Sequence, residues 1–203
     1  MKIYFHEGDL PKGVSFGKLI AVDSETLGIN PARDRLCLVQ LSAGDGLCHI
    51  VRFRKGQSDA PNLTALLEDP ETTKIFHYAR FDVAAFRKHL SVTTRNVWCT
   101  KIGSKLARTY TDKHGLKDVI KDLLDIDISK QHQSSDWGSD NLSEAQLAYA
   151  ASDVAHLHKL KSILEKMLIR EDRLALALRC FEFLETRATL DLLGWSSEDI
   201  FSL

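Results

Sequence analysis

The chain has 203 residues, 44% hydrophobic and 27% charged, with 27 Lys and Arg against 28 Asp and Glu. This is ample for one hydrophobic core, and with no linker or repeat the expectation is a single domain over 1–203 with helical additions. The near-neutral balance speaks against a protein built to run along a long polyanion, though a short nucleic-acid fragment stays open, and the lack of a signal-like or membrane-length apolar run predicts a soluble, cytoplasmic protein.

In chain order, Leu19 to Val22 is a continuous apolar run leading into Asp23, the pattern of a central strand buried on both faces. Asp23 and Glu25 lie two apart and therefore share a face of that strand. Arg35 to Ser42 and Leu47 to Phe53 read as two more strands joined by Ala43-Gly44-Asp45-Gly46, which predicts an antiparallel three-strand meander. A helix is expected from near Asn62. The next strand, Lys74 to Tyr78, can lie parallel to the first across that crossover helix. Phe81 to Leu90 reads as a helix carrying Asp82, Asn96 to Cys99 as a last short strand, and Thr100 to Tyr110 and Leu116 to Leu124 as helices. Ser143 opens a long helix with a capping-box sequence, Ser143-x-x-Gln146. Within it Tyr149 and Asp153 are four apart and project from one face. Leu174 to Leu193 is an apolar-rich helix that needs a partner surface. With the tail bearing Trp195, Ile200 and Phe201, the region from about 171 is expected to pack on the core or in an oligomer interface.

The cysteines, Cys37, Cys48, Cys99 and Cys180, form no CxxC pair and read as reduced core thiols. His156 and His158 are two apart on a helix and point to different sides, which argues against a zinc site. Neither a P-loop nor a G-x-G-x-x-G fingerprint occurs.

Asp23, Glu25, Asp82 and Asp153 thus come from one strand and two helices. Acids converging in this way repel and lose hydration, so something positive must offset them, and divalent metal is the natural candidate. Phosphodiester hydrolysis needs charge stabilised on both the attacking and the leaving oxygen, which two divalent ions about 3.5–4 Å apart provide. Mg²⁺, or Mn²⁺, takes oxygen ligands of this kind. A tyrosine near such a site can orient a water, and can take part in its deprotonation. Taken singly, each residue has a plainer reading: a turn Asp, a solvated strand-edge Glu, a helix-dipole Asp, a core Tyr, a solvated helical Asp. Only the combination points to chemistry.

That combination resembles the three motifs of the DEDDy group of 3′–5′ exonucleases, in its ribonuclease D-like branch. Asp23-x-Glu25 lies in VDSETLGINPARDRLCLVQLS, Asp82 in FHYARFDVAAF, and Tyr149-x-x-x-Asp153 in a segment with an Asp136-Trp137 lead-in. The resemblance covers most of residues 19 to 160. It implies a ribonuclease H-like α/β fold, with a mixed sheet of about five strands, an antiparallel meander plus parallel strands, flanked by helices and followed by C-terminal helices. Ribonuclease D proteins carry further C-terminal helical domains, whereas about forty residues follow the third motif here, which is most similar to the nanoRNase C subfamily.

The implied function is a metal-dependent 3′–5′ exoribonuclease that hydrolyses short RNA, dinucleotides above all, to nucleoside 5′-monophosphates in the last step of RNA degradation. The implied assembly is a homo-oligomer, a ring octamer in that subfamily, with no membrane partner. By resemblance, Asp23, Glu25, Asp82 and Asp153 hold two Mg²⁺ or Mn²⁺ ions and Tyr149 positions the nucleophilic water. Thr26, Leu27, His77 and Lys130 are expected substrate contacts, while His77, Lys130 and Leu27 read equally well as a satisfied core histidine, a surface lysine and a packed leucine. Two other readings stand beside this one: a broader RNA or DNA 3′-end trimming exonuclease, and an inactive nucleic-acid-binding module.

Overall fold

The computed structural model describes residues 1–128 and 135–202. Its centre is one six-stranded mixed sheet, in the order β1-β4-β3-β2-β5-β6. The strands are β1 (Lys2–Glu7), β2 (Leu19–Thr26), β3 (Leu36–Ser42), β4 (Leu47–Arg52), β5 (Thr73–Phe76) and β6 (Val97–Cys99). β2, β3 and β4 form the expected antiparallel meander, and β5 runs parallel to β2 with β6 parallel beyond it. β3 is buried along its whole length, Gln40 and Ser42 included, as a mostly apolar central strand allows.

β1 is a sixth strand, where a sheet of about five was expected. β1 pairs parallel to β4 at the sheet edge and is only half covered, so its sequence, KIYFHE, lacks a long apolar run. Neighbours complete it: Arg52 reaches from β4 to Glu7, and His6 Nε2 lies 2.9 Å from His49 Nδ1.

Eight helices among the described residues surround the sheet: α1 (Pro61–Glu68), α2 (Ala79–Leu90), α3 (Thr100–Ala107), α4 (Leu116–Leu124), α5 (Glu144–Ala155), α6 (Leu157–Arg170), α7 (Leu174–Glu182) and α8 (Leu184–Leu192). The capping box forms as read: the Ser143 hydroxyl accepts from Gln146 N at 3.2 Å, and the Gln146 side chain accepts from Ser143 N at 2.9 Å.

Two expected long helices are broken at single residues. The one from Ser143 is interrupted at His156, after which His158 Nε2 donates to the Leu19 carbonyl at 3.2 Å and anchors α6 to β2. The one from Leu174 is interrupted at Phe183. This bend lets Phe181 meet Trp98 at a ring distance of 5.0 Å while Arg80 of α2 bonds Asp191 of α8. Ala177, Phe181, Leu184 and Ala188 are buried, but Leu176, Leu178, Leu193, Trp195, Ile200 and Phe201 stay exposed. Cys37, Cys48 and Cys99 are buried free thiols and Cys180 is half-buried. No helix among the described residues is long and apolar enough to cross a membrane.

Candidate metal and nucleic-acid site

Three elements bring the acids together. β2 delivers Asp23 and Glu25 at the end where it slips register against β3, a bulge between Glu25 and Thr26 of the kind that re-aims side chains beside a site. β5 hands over to α2 through His77 and Tyr78, and Tyr78 adopts φ 77°, a left-handed turn unusual for a bulky residue. That turn sets Asp82, in the first turn of α2, against the end of β2, where the Ser24 hydroxyl donates to Asp82 Oδ1 at 2.6 Å. α5 contributes Tyr149 and Asp153. Carboxylate oxygens of Asp23, Glu25 and Asp153 all lie within 4.8 Å of one another, close enough to share a cation. Asp82 stands beyond that trio and interacts electrostatically with all three.

The electrostatics are those of acids without a counterion. None of the four enters an ion pair with another described residue. Burial, then repulsion from Asp82, Asp153 and Glu25, holds the Asp23 carboxyl well above the usual range. Glu25 is pushed up to about 9 by burial and then by Asp153 and Asp82. Burial likewise pushes Asp82 and Asp153 to about 7, although the Ser24 hydroxyl pulls Asp82 back. Burial and the three nearest acids raise Tyr149 above the usual phenol range, so its hydroxyl keeps its proton at neutral pH. Protons thus stand where a divalent cation, with its greater charge and its preference for carboxylate oxygen, fits the donor set.

All four acids and Tyr149 line one cleft of about 280 Å³, with Ser24, His77, Tyr78, Phe81, Lys101, Gly115, Leu116, Lys117 and Ile128. A larger cavity, about 600 Å³, adjoins it through Tyr78 and Lys101, but its described lining is apolar and cationic and holds no carboxylate. The smaller cleft is therefore the one equipped for metal.

The expected substrate residues divide. His77 lines the cleft; its Nδ1 lies 2.8 Å from Thr100 Oγ1, and its buried Nε2 has no hydrogen-bond partner among the described residues, while the His114 backbone lies near the ring. Burial, then Lys101, pushes this imidazole down to about 3, so it is neutral. Thr26 is buried and its hydroxyl donates to the Gly28 carbonyl, which makes it a brace for the loop after β2. Leu27 is 52% exposed at the strand end and outside the lining of the cleft. Lys130 lies outside the described residues.

Several residues of this site carried no clear signal in the sequence. Lys101 and Lys117 are the cations among the described lining of the acidic cleft. Their spacing from the acids, through two helix starts, has no local pattern. Trp137 stacks on Tyr149 at a ring distance of 6.0 Å, which gives the Asp-Trp lead-in a physical purpose: it fixes the phenol ring. The next residue, Gly138, packs against the Leu27 and Arg35 side chains, where a Cβ would lie 2.6 Å from Leu27 Cδ2.

Comparison with known proteins agrees with this geometry. A family model described as 3′-5′ exonuclease matches residues 9–169. Ribonuclease D of Gluconacetobacter diazotrophicus is 36% identical over 155 residues, 76% of this chain and 39% of that protein. The chain thus spans about two fifths of the length of the curated relatives it matches. Among solved structures, Brucella melitensis NrnC bound to pGG is 53% identical with a TM-score of 0.96, over 100% of this chain and 98% of that one. The same Brucella protein with bound Mg²⁺ is 52% identical with a TM-score of 0.95, over 100% and 99%.

Proposed function

We propose, from the premise that the chain belongs to the 3′–5′ exonuclease family and to its ribonuclease D-like DEDDy branch, that it is a metal-dependent exoribonuclease that hydrolyses short RNA, dinucleotides above all, to nucleoside 5′-monophosphates in the last step of RNA degradation. The observation that carries this reading is the cluster of Asp23, Glu25 and Asp153 oxygens within 4.8 Å, with Asp82 beside it and no cation paired to any of them among the described residues.

Asp23, Glu25, Asp82 and Asp153 would hold two divalent ions, Mg²⁺ or Mn²⁺. When bound, these supply Lewis-acid stabilisation of the attacking and leaving oxygens. Asp23 and Asp153 are the most central ligands. Ser24 holds the Asp82 carboxylate in one orientation. Tyr149, braced by Trp137, would orient the attacking water through its hydroxyl. His77, held neutral, presents an uncharged edge to the sugar or phosphate. Lys117 and Lys101 balance the phosphate charge that enters an acidic cleft. Thr26, through the loop it braces, and Leu27 are the contacts for the terminal nucleotide, and Lys130 is a phosphate contact.

Short substrate is supported by the size of the cleft, about 280 Å³, just below the usual ligand-pocket range of roughly 300–1,000 Å³, and by the likeness to a nuclease bound to pGG. Turnover of a dinucleotide and of a twenty-mer under matched Mg²⁺ tests it. Preference for the dinucleotide is expected, and equal or faster turnover of the long chain sinks the short-substrate reading in favour of a general 3′-end trimming exonuclease.

The chain is further proposed to work as one domain in a homo-oligomer, a ring octamer, with the exposed apolar residues of α7 and of the tail from Leu193 in its interfaces. Light scattering that gives a monomer at micromolar concentration overturns this.

A further inference from the structure

Arg108 is the most buried guanidinium of the described chain, 2% exposed, and it touches none of the acids. It follows the last turn of α3, where its backbone N donates to the Ser104 carbonyl at 2.8 Å. Its side chain then ties three segments together. Nη1 donates to Ser104 Oγ at 2.9 Å on α3 and to the Lys113 carbonyl at 2.8 Å in the following loop. Nε and Nη2 donate to Asp122 Oδ2 on α4, at 3.2 and 2.9 Å, and the Tyr110 hydroxyl donates to the same oxygen at 3.0 Å. Ser104 Oγ also lies 2.9 Å from His114 Nδ1. A buried cation with this many directed bonds fixes its surroundings in one geometry, because any other leaves the charge unpaired.

The segment so fixed forms part of the wall of the acidic cleft. The loop from 108 to 115 ends at Gly115, and Gly115, Leu116 and Lys117 all line that cleft. The His114 backbone in the same loop lies near the His77 ring. Asp122 is five residues beyond Lys117 on α4, so the Arg108–Asp122 bond anchors the helix whose first turn carries Lys117.

We infer that Arg108, through Asp122, is a positioning residue for substrate: it holds Lys117 at the distance from the acid cluster at which that ammonium meets a substrate phosphate. The inference rests on the exonuclease reading above. It predicts an effect on substrate binding and none on the acids themselves, since no bond of the Arg108 network ends on Asp23, Glu25, Asp82 or Asp153.

A double-mutant cycle decides it. Arg108→Ala empties a buried place and tests folding as much as placement, so the cut is made at Asp122, 47% exposed at its side chain, with thermal melting as the control for fold. On a dinucleotide, Lys117→Ala is expected to raise KM roughly tenfold and Asp122→Ala roughly fivefold, each with kcat within about twofold. Because Asp122 acts through Lys117, the double variant matches Lys117→Ala within about twofold. A purely structural bridge gives independent effects that multiply to roughly fiftyfold, and that result overturns the inference. So does an Asp122→Ala variant with unchanged KM, or one whose loss falls on kcat. If the unaltered protein hydrolyses no RNA, the exonuclease reading fails by itself. The same cycle, read as affinity for a dinucleotide with a non-hydrolysable linkage in Mg²⁺, still tests the placement of Lys117, and absence of binding by the unaltered protein overturns it.

Discussion

Two buried charge clusters of this molecule are built on opposite principles. At Asp191, 8% exposed at its side chain, one carboxylate meets two guanidiniums: Arg80 at 2.6 and 2.7 Å and Arg187 at 3.0 and 2.7 Å. The surplus donors end on the Trp195 and Ser196 carbonyls. At the end of β2, four carboxyls gather with no paired cation among the described residues, and their affinity for protons rises accordingly. The first cluster is complete as it stands and locks α8 to α2. The second is costly as it stands, and a site kept in that condition is one adapted to an added cation.

Removing one acid from each cluster breaks the comparison most sharply. Asp153→Ala is expected to lower kcat by roughly 10³-fold, the loss of several kcal/mol of metal-derived stabilisation. In EDTA it leaves the melting temperature unchanged or raised, because repulsion is relieved. Asp191→Ala is expected to do the reverse, keeping kcat within a few-fold while destabilising the fold by about 2–3 kcal/mol, somewhat less than a fully buried pair. Calorimetric melting and single-substrate kinetics on both variants check this. Equal thermal losses in EDTA would remove the distinction.

The second difference is in pH dependence. Without metal the folded chain keeps protons on Asp82 and Asp153 to about pH 7 and on Glu25 to about pH 9, whereas unfolded carboxyls release them near pH 4. The folded state therefore binds more protons across that window, and stability falls as pH rises through it. In EDTA the melting temperature is expected to drop between pH 5 and pH 9 by several degrees, at about 2–4 °C per kcal/mol. Added Mg²⁺ restores the alkaline end most. A flat or rising profile in EDTA contradicts the picture of an uncompensated cluster.

A smaller effect concerns Ser24. Its hydroxyl provides the 2.6 Å bond that favours the charged form of Asp82. Ser24→Ala removes roughly 1 kcal/mol of orientation, about a fivefold loss of kcat. It also raises the Asp82 pKa, so the acid limb of the rate profile shifts to higher pH. A rate profile identical to that of the unaltered protein would assign Ser24 to packing alone.

What could be read in the sequence was whatever a single element carries. Asp23 and Glu25 follow an apolar run, and Tyr149 and Asp153 share one helix face, so period and spacing expose them. The meander announced itself through its turn, and α5 through its capping box. What stayed hidden depends on elements meeting. β1 is a strand because β4 offers it an edge. Lys117 belongs to the cleft because Arg108 bridges α3 and α4, 14 residues apart in sequence from Arg108 to Asp122. The breaks at His156 and Phe183 answer to contacts with Leu19 and Trp98 rather than to any breaker residue. Thr26 and Leu27 are a separate case: they follow Glu25 directly in sequence but lie outside the lining of the acidic cleft, so their proposed contact with the terminal nucleotide falls beyond it.

The central claim is that the four acids form a binding site for two divalent ions. Titration of Mn²⁺ into metal-free protein in the presence of a dinucleotide with a non-hydrolysable linkage, followed calorimetrically at neutral pH, tests it directly. Two ions per chain with release of protons is the predicted result, and Asp153→Ala should abolish at least one. No saturable binding, or binding with no proton release and no sensitivity to Asp153, would contradict it.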